Sequence, residues 1–322
     1  MTMTNLLSTA DVAARLGVDR KTILRYLRDG KLRGSRIGRD YRIPQEALAA
    51  FLQDTSNTGR SSLPATAPAG LAIVTAMANQ KGGVAKTTTT LNLGVAMTRL
   101  GKRVLLVDMD PQASLTISAG LPIHNLSPSI HDVLMDVKLP ASEVIARTKV
   151  GPDILPSTID LSAAEILLVG EMKREYRLKD KLAPLLSSYD HILIDSPPSL
   201  GLLTINALAA ADQLIIPTQC EYLALRGLQL LLQSVERAKE NLNRDLRVAW
   251  ILPTMFNSHT VHANEVLQEL RRNFPGQVFD PVKHTVRVKE APVAAMSMFD
   301  YDPDGEVAAT YLALAKEVIG DA

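Results

Sequence analysis

Two lysines bracket a pair of glycines, and two threonines follow, in Lys81-Gly82-Gly83-Val84-Ala85-Lys86-Thr87-Thr88. The apolar run ahead of them, residues 71–78, has the length and β-branched content of a buried parallel strand. Behind them Leu91, Leu93, Ala96, Met97 and Leu100 fall on one face of a helix. A glycine-containing turn from a strand into a helix leaves backbone N–H groups unpaired at the positive end of the helix dipole, which suits phosphate. Gly82 and Gly83 let the backbone approach closely. Lys86 can reach the β- and γ-phosphates of a nucleotide, and Thr87 can offer a hydroxyl to Mg²⁺. The alternative is a turn that binds nothing.

Carboxylates stand where such a loop needs them. Val104-Leu-Leu-Val-Asp108-Met-Asp110-Pro-Gln reads as a second buried strand ending in two acids, and Tyr189-Asp-His-Ile-Leu-Ile-Asp195-Ser-Pro-Pro as a third ending in one. Open α/β sheets gather ligand-binding groups at the C-terminal ends of their strands. An apolar strand ending in Asp is also the arrangement in which an acid holds Mg²⁺. Such an Asp can instead cap the next helix. Asp212–Pro217 and Val248–Met255 supply further strands, and residues 306–319 a closing helix. Ser162 to Leu186 fits one or two amphipathic helices. Cys220, just beyond a strand end, and the lone Trp250 read as packing residues.

The chain has 322 residues, 46% hydrophobic and 21% charged, enough to bury a proper core. Its net charge of +1 is unevenly spread: residues 1–55 carry ten Lys/Arg against six acids, a net of +4, which leaves −3 for the rest. One cysteine forbids an internal disulfide and suits a reducing compartment. No apolar signal segment or membrane span is legible, so a cytoplasmic protein without a membrane role is expected.

The basic N-terminus, residues 1–53, reads as two short helices across Gly17, the first capped by Ser8 or Thr9 and the second by Asp19. Ile23, Leu24 and Leu27 face inward, leaving Lys21 and Arg25 to a groove. Arg36 and Arg39 lie in an alternating segment like a β-hairpin wing, and Pro44 opens a third helix. DNA binding is the reading, with a protein-interaction domain as its alternative. Residues 54–70, small, polar and proline-spaced, are a linker to an α/β domain at 71–322.

The phosphate-loop stretch departs from the ordinary P-loop pattern, with Gln80 and Ala85 at its glycine positions and Lys81 in addition. It resembles the deviant Walker A motif, KGGxxKT, of the ParA/MinD group of ATPases. "LLVDMDPQ", "DSPPS" and residues 282–292 resemble further segments of ParA/Soj-type partition ATPases, in the same order and over about residues 71–319. "RIGRDYRIP" resembles excisionase/MerR-type winged helix-turn-helix domains.

That resemblance implies a P-loop NTPase fold, a mostly parallel sheet flanked by helices, binding ATP and Mg²⁺. Residues 81–88 would hold the nucleotide, with Pro253 and Thr254 where the adenine pocket begins. Thr87, Asp108 and Asp195 would serve the metal, and Asp110 the attacking water. Lys81 would cross an ATP-dependent homodimer interface to the partner's nucleotide. Arg271, Lys283 and Arg287 would contribute to sequence-independent DNA binding, a solvated charged edge being the alternative. A ParB-type partner stimulating slow hydrolysis, and a nucleoid-associated location, follow from the same resemblance. The competing function is a transcriptional autorepressor whose ATPase body only sets dimer state. Ala85 is the local departure: a left-handed backbone there costs about a kcal/mol for any side chain with a Cβ.

Overall fold

The computed structural model describes residues 6–16, 23–24, 27, 32–37, 40–48, 70–123 and 126–320. The chain divides into two compact units, Met1–Arg60 and Ser61–Ala322.

In the first unit β1 (Leu6–Ser8) pairs antiparallel with β3 (Asp40–Pro44), which also pairs with β2 (Ser35–Ile37). β2 and β3 are the wing hairpin. β1 is an addition that the helical reading of this end missed, three residues being too few for a visible alternation. A helix at Thr9–Leu16 follows directly. Ser8 caps it: the Asp11 amide donates to Ser8 Oγ at 3.1 Å while Asp11 Oδ2 accepts from the Ser8 amide at 2.9 Å. Residues 23–24 and 27 are helical, and Ile23 is buried with Leu7, Val12, Leu32 and Ile43. Pro44 ends β3, and the next helix starts at residue 45. The inferred contacts Lys21, Arg25 and Arg39, and the linker residues 54–69, lie outside the described residues; Arg36 sits on β2.

The second unit is built on seven strands: β4 (Ile73–Met77), β5 (Val104–Asp108), β6 (Ala146–Arg147), β7 (Asp153–Leu155), β8 (His191–Asp195), β9 (Gln213–Gln219) and β10 (Arg247–Thr254). Their order is β10-β9-β4-β8-β5-β7-β6, all parallel except the short edge strand β6. The near-continuous apolar runs follow from burial on both faces. Leu105, Val107, Ile192 and Ile194 join one core, with Leu203, Leu228 and Leu231 from the helices Leu202–Ala210 and Tyr222–Asn241. Their neighbours Val104, Leu106 and Leu193 join the other, with Leu93 and Met97 from the helix Lys86–Arg99 and Leu314 from the closing helix Glu306–Gly320. Gly94 lets the helix Lys86–Arg99 lie close on the sheet, since a Cβ there would meet Leu106 Cδ2 at 2.6 Å. The region 162–186, expected as one or two helices, is broken, with the short helices Leu161–Leu167 and Arg177–Leu182 and tight turns between.

Candidate nucleotide site at the strand ends

β4 delivers the loop of residues 79–85 to the C-terminal edge of the sheet, between β9 and β8, with β5 on the far side of β8. Asn79 anchors the loop: its Nδ2 donates to Pro217 O at 2.7 Å and its Oδ1 accepts from the Lys81 amide at 3.0 Å. Gly83 turns at φ 71° and Ala85 at φ 66°, so the chain enters the helix Lys86–Arg99 from a left-handed residue. Ala85 does take the strained conformation. Gly82 and Gly83 are exposed, Thr87 and Thr88 half-buried, and Val84 is packed inward.

The Lys86 ammonium is buried and donates to Asn79 O at 3.1 Å and Lys81 O at 3.3 Å. Burial lowers its pKa, opposed by the charges of Asp195 and Asp110. Thr87 Oγ1 donates to Asp195 Oδ2 at 2.6 Å, and Thr90 Oγ1 reaches Asp195 Oδ1 at 3.4 Å.

Asp195 and Asp108 are cross-strand partners at the ends of β8 and β5, both fully buried. Desolvation, then the neighbouring Asp108 charge, pushes the Asp195 carboxyl up to about 8; desolvation pushes Asp108 up to about 6. Two buried acids beside each other and a hydroxyl are a fitting place for a divalent cation. Among the described residues no group of three or more His, Cys, Asp or Glu side chains could hold a metal alone. Mg²⁺ characteristically needs only one or two carboxylates when phosphates supply further oxygens.

Asp108 stands beside Asp195, and its oxygens are also engaged by its own turn. Its Oδ2 accepts from the Thr116 amide at 2.8 Å and the Thr116 hydroxyl at 2.7 Å, and its Oδ1 from the Asp110 amide at 3.1 Å. Those bonds hold the turn that carries Asp110. The Asp110 carboxylate is half-buried and accepts from the Gln112 amide at 2.9 Å, while its carbonyl accepts from Ser157 Oγ at 2.8 Å. Thr116 and Ser157 were not legible as site residues, because the Thr116 hydroxyl, 8 residues beyond Asp108, and the Ser157 hydroxyl, 47 residues beyond Asp110, meet those two residues only in the fold.

Thr254 also supports rather than faces outward. It is fully buried and its hydroxyl donates to Val84 O at 3.0 Å and Thr218 O at 3.2 Å. Pro253 is buried beside it and its carbonyl accepts from the Val282 amide at 2.8 Å. Thr254 does line a small cavity with Ala85, Met255, His284, Val288 and Tyr311.

Lys81 lies apart from its own loop. Its Nζ donates to Gln219 Oε1 and Glu221 Oε2, both at 2.6 Å, and the pair is about half exposed. The remaining inferred DNA contacts are also ion-paired in the open: Arg271 with Asp280, Lys283 with Glu306 and Arg287 with Asp302. The hydrogen bond from Arg287 to Asp302 raises the guanidinium pKa. Cys220 is buried, its thiol pushed up to about 11 by desolvation, as a packing residue would be. Trp250 is half-buried, edge-on to Phe279 with centroids 5.4 Å apart.

A strand, a left-handed glycine-containing loop, a lysine, a threonine and an adjacent strand ending in Asp define a P-loop NTPase. Comparison with known proteins agrees: residues 72–248 match the AAA domain model and residues 6–56 a helix-turn-helix domain model. The chain is 44% identical over 246 residues to the sporulation initiation inhibitor protein Soj of Bacillus subtilis, covering 76% of this chain and 97% of Soj. It is 43% identical to the chromosome partitioning protein ParA of Myxococcus xanthus, covering 76% and 86%. It belongs to the ParA/Soj family of partition ATPases. An uncharacterised protein of Mycobacterium tuberculosis is 46% identical over 277 residues, covering 83% of this chain and 87% of its own. Among solved structures, that of Mycobacterium smegmatis cobyrinic acid a,c-diamide synthase with bound ADP and magnesium superposes with a TM-score of 0.68 at 39% identity, covering 76% and 93%.

Proposed function

We propose that this chain is an ATP-driven switch for DNA partition, bound to DNA with ATP and released by hydrolysis. The observation that carries the reading is the Thr87 hydroxyl, 2.6 Å from a buried Asp195 whose strand neighbour is Asp108. Residues 81–88 cradle the phosphates. Lys86 exchanges its two loop carbonyls for phosphate oxygens, which makes it a charge-stabilising residue of the reaction along with Lys81. Thr87 and Asp195 hold Mg²⁺, which neutralises developing phosphate charge. Asp108 positions the turn, and Asp110 orients the attacking water. Catalysis of this kind is mainly placement and electrostatics, so turnover is slow until a partner completes the site.

Lys81, tethered beside the loop rather than in it, is free to serve a second subunit once Glu221 releases it, and the active form is a homodimer. Pairing two subunits doubles the phosphate contacts available to Arg271, Lys283 and Arg287, and DNA affinity rises with each one. Their ion pairs are exposed and weak enough to exchange for DNA phosphates. The N-terminal unit reads specific DNA, a ParB-type protein stimulates hydrolysis, and the protein works on the nucleoid in the cytoplasm. No helix among the described residues is long and apolar enough to cross a membrane. We favour partition over amide synthesis because Soj and ParA, at 44% and 43% identity, are more similar than the synthase at 39%.

Two substitutions test the reading. Lys86→Ala abolishes ATP binding, and Asp110→Ala keeps it while stopping turnover and leaving a trapped dimer. Binding by fluorescent ATP titration, phosphate release and sedimentation read the three properties. Normal affinity in the first variant or wild-type turnover in the second removes the corresponding assignment.

A further inference from the structure

Two of the cations given a DNA role, Lys283 and Arg287, are each already matched to an acid, and both acids lie on one turn. Lys283 and Arg287 stand four residues apart, Arg287 opening the helix Arg287–Val293. Asp302 and Glu306, also four apart, bracket the turn that leads into the helix Glu306–Gly320. Lys283 Nζ meets Glu306 Oε2 at 2.7 Å, and Arg287 Nη1 donates to Asp302 Oδ1 at 2.5 Å. The turn holds Asp302 in place: its side chain is only 17% exposed, and a Cβ at Gly305 would collide with the carboxylate. Asp304, exposed between the two acids, pairs with no cation among the described residues.

Ammonium and guanidinium groups bind carboxylate and phosphate oxygens by the same charge-assisted hydrogen bonds. With both pairs closed, these four groups carry no net charge, and neither cation can take a DNA phosphate without giving up its acid.

The acids and the cations are anchored to different parts of the fold. The turn is fastened on both sides to the helix Lys86–Arg99, which leaves the phosphate loop. Ahead of the turn, Asn92 Oδ1 accepts from the Met298 amide at 2.7 Å, and Arg99 Nη2 donates to Phe299 O at 3.1 Å and Asp300 Oδ1 at 2.9 Å. Behind it, the fully buried Tyr311 sets its hydroxyl 3.2 Å from Thr89 Oγ1. Lys283 is held instead beyond the end of β10, where the Phe256 amide donates to Val282 O at 3.0 Å and the His284 amide to Phe256 O at 2.9 Å. A shift of the phosphate-loop helix therefore moves the acids relative to Lys283.

We propose that the acidic turn Asp302–Glu306 is an internal stand-in for DNA phosphate, closed on Lys283 and Arg287 without nucleotide and drawn off them when ATP loads the phosphate-loop helix. The inference rests on the DNA role given to those two cations above. It provides a route from nucleotide to DNA edge within one subunit, separate from the pairing of two.

Fluorescence anisotropy of the full-length chain on a random duplex, with and without a non-hydrolysable ATP analogue, tests this. Glu306→Gln is expected to tighten nucleotide-free binding about threefold and Asp302→Asn/Glu306→Gln about tenfold, as exposed pairs are removed one at a time. The slope of log affinity against log salt steepens by about 0.9 for each freed cation. Affinity with the analogue stays close to wild type, so the nucleotide dependence shrinks. Asp304→Asn, the same charge loss on the same turn, leaves affinity and slope as in wild type. Tyr311→Phe, which cuts one tether, is expected to keep nucleotide-free DNA binding and ATP affinity while the gain from the analogue falls about threefold. If Glu306→Gln behaves like Asp304→Asn, or the double variant keeps the wild-type nucleotide dependence, the turn is no mask and the DNA role of the two cations stands. A full wild-type gain in Tyr311→Phe overturns the coupling through the phosphate-loop helix. If Lys283→Gln/Arg287→Gln retains all analogue-dependent binding, these cations do not touch DNA, and that reading falls together with this inference.

Discussion

Ala85 shows how a single residue carries a cost at a site. Its φ of 66° places an alanine where glycine is the low-energy choice, at the entrance to the helix that presents Lys86 and Thr87. The left-handed conformation costs a residue with a Cβ about 1–2 kcal/mol, part of which glycine returns through its greater unfolded entropy. Ala85→Gly is therefore expected to raise stability by up to about 1 kcal/mol, measured by urea unfolding. Asp108 is the second case. With its oxygens taken by Thr116 and Asp110, its charge is tolerated because three donors answer it. Thr116→Val removes one donor from a buried carboxylate, which costs about 1–3 kcal/mol. Because the same turn carries Asp110, phosphate release is expected to fall with it, while ATP affinity stays within a few-fold.

At the scale of elements, the helix Lys86–Arg99 joins the phosphate loop to the C-terminal segment. Thr89 Oγ1 lies 3.2 Å from the Tyr311 hydroxyl, Asn92 Oδ1 accepts from the Met298 amide at 2.7 Å, and Arg99 pairs with Asp300 at 2.9 Å. Arg287, across its pair with Asp302, is thus within one structural step of the nucleotide helix. At the opposite end of the sheet, His191 opens β8 almost fully buried, its Nδ1 without a partner. Desolvation, with Lys102 nearby, lowers its pKa to about 4. The unfolded chain, with an ordinary imidazole near 6.5, therefore takes up the proton first. The stability from this residue is complete above about pH 6.5 and is lost as pH falls toward 4, by up to about 3 kcal/mol. Urea midpoints across that range should show His191→Gln losing less than wild type.

For the whole molecule, the two units divide the labour, the larger carrying a sheet-edge nucleotide site and the smaller a compact core of Leu7, Val12, Ile23, Leu32 and Ile43. If the smaller one reads sequence and the larger one binds any DNA when ATP is present, the two activities separate. Deleting residues 1–55 is expected to preserve ATP-dependent binding to random DNA and to abolish preference for an operator, measured by fluorescence anisotropy with both kinds of duplex. Loss of all DNA binding would favour the autorepressor reading instead.

The sequence by itself determined the order of parts: the strand and helix around Lys81–Thr88, the acids at the ends of β5 and β8, and the basic N-terminal unit. Each is written in a contiguous run, where local geometry and burial on two faces leave a periodic mark. Tertiary structure alone decided how those parts are held. Strand order brings Asp195 between the loop and Asp108, although 87 residues separate the two acids in the chain. The partners of Asp108, Thr254 and Lys81 come from Thr116, Val84, Thr218, Gln219 and Glu221, and such polar pairings carry no periodic signal. A hydroxyl or amide fits many surroundings, and only the packed sheet edge selects which carbonyl or carboxylate it meets.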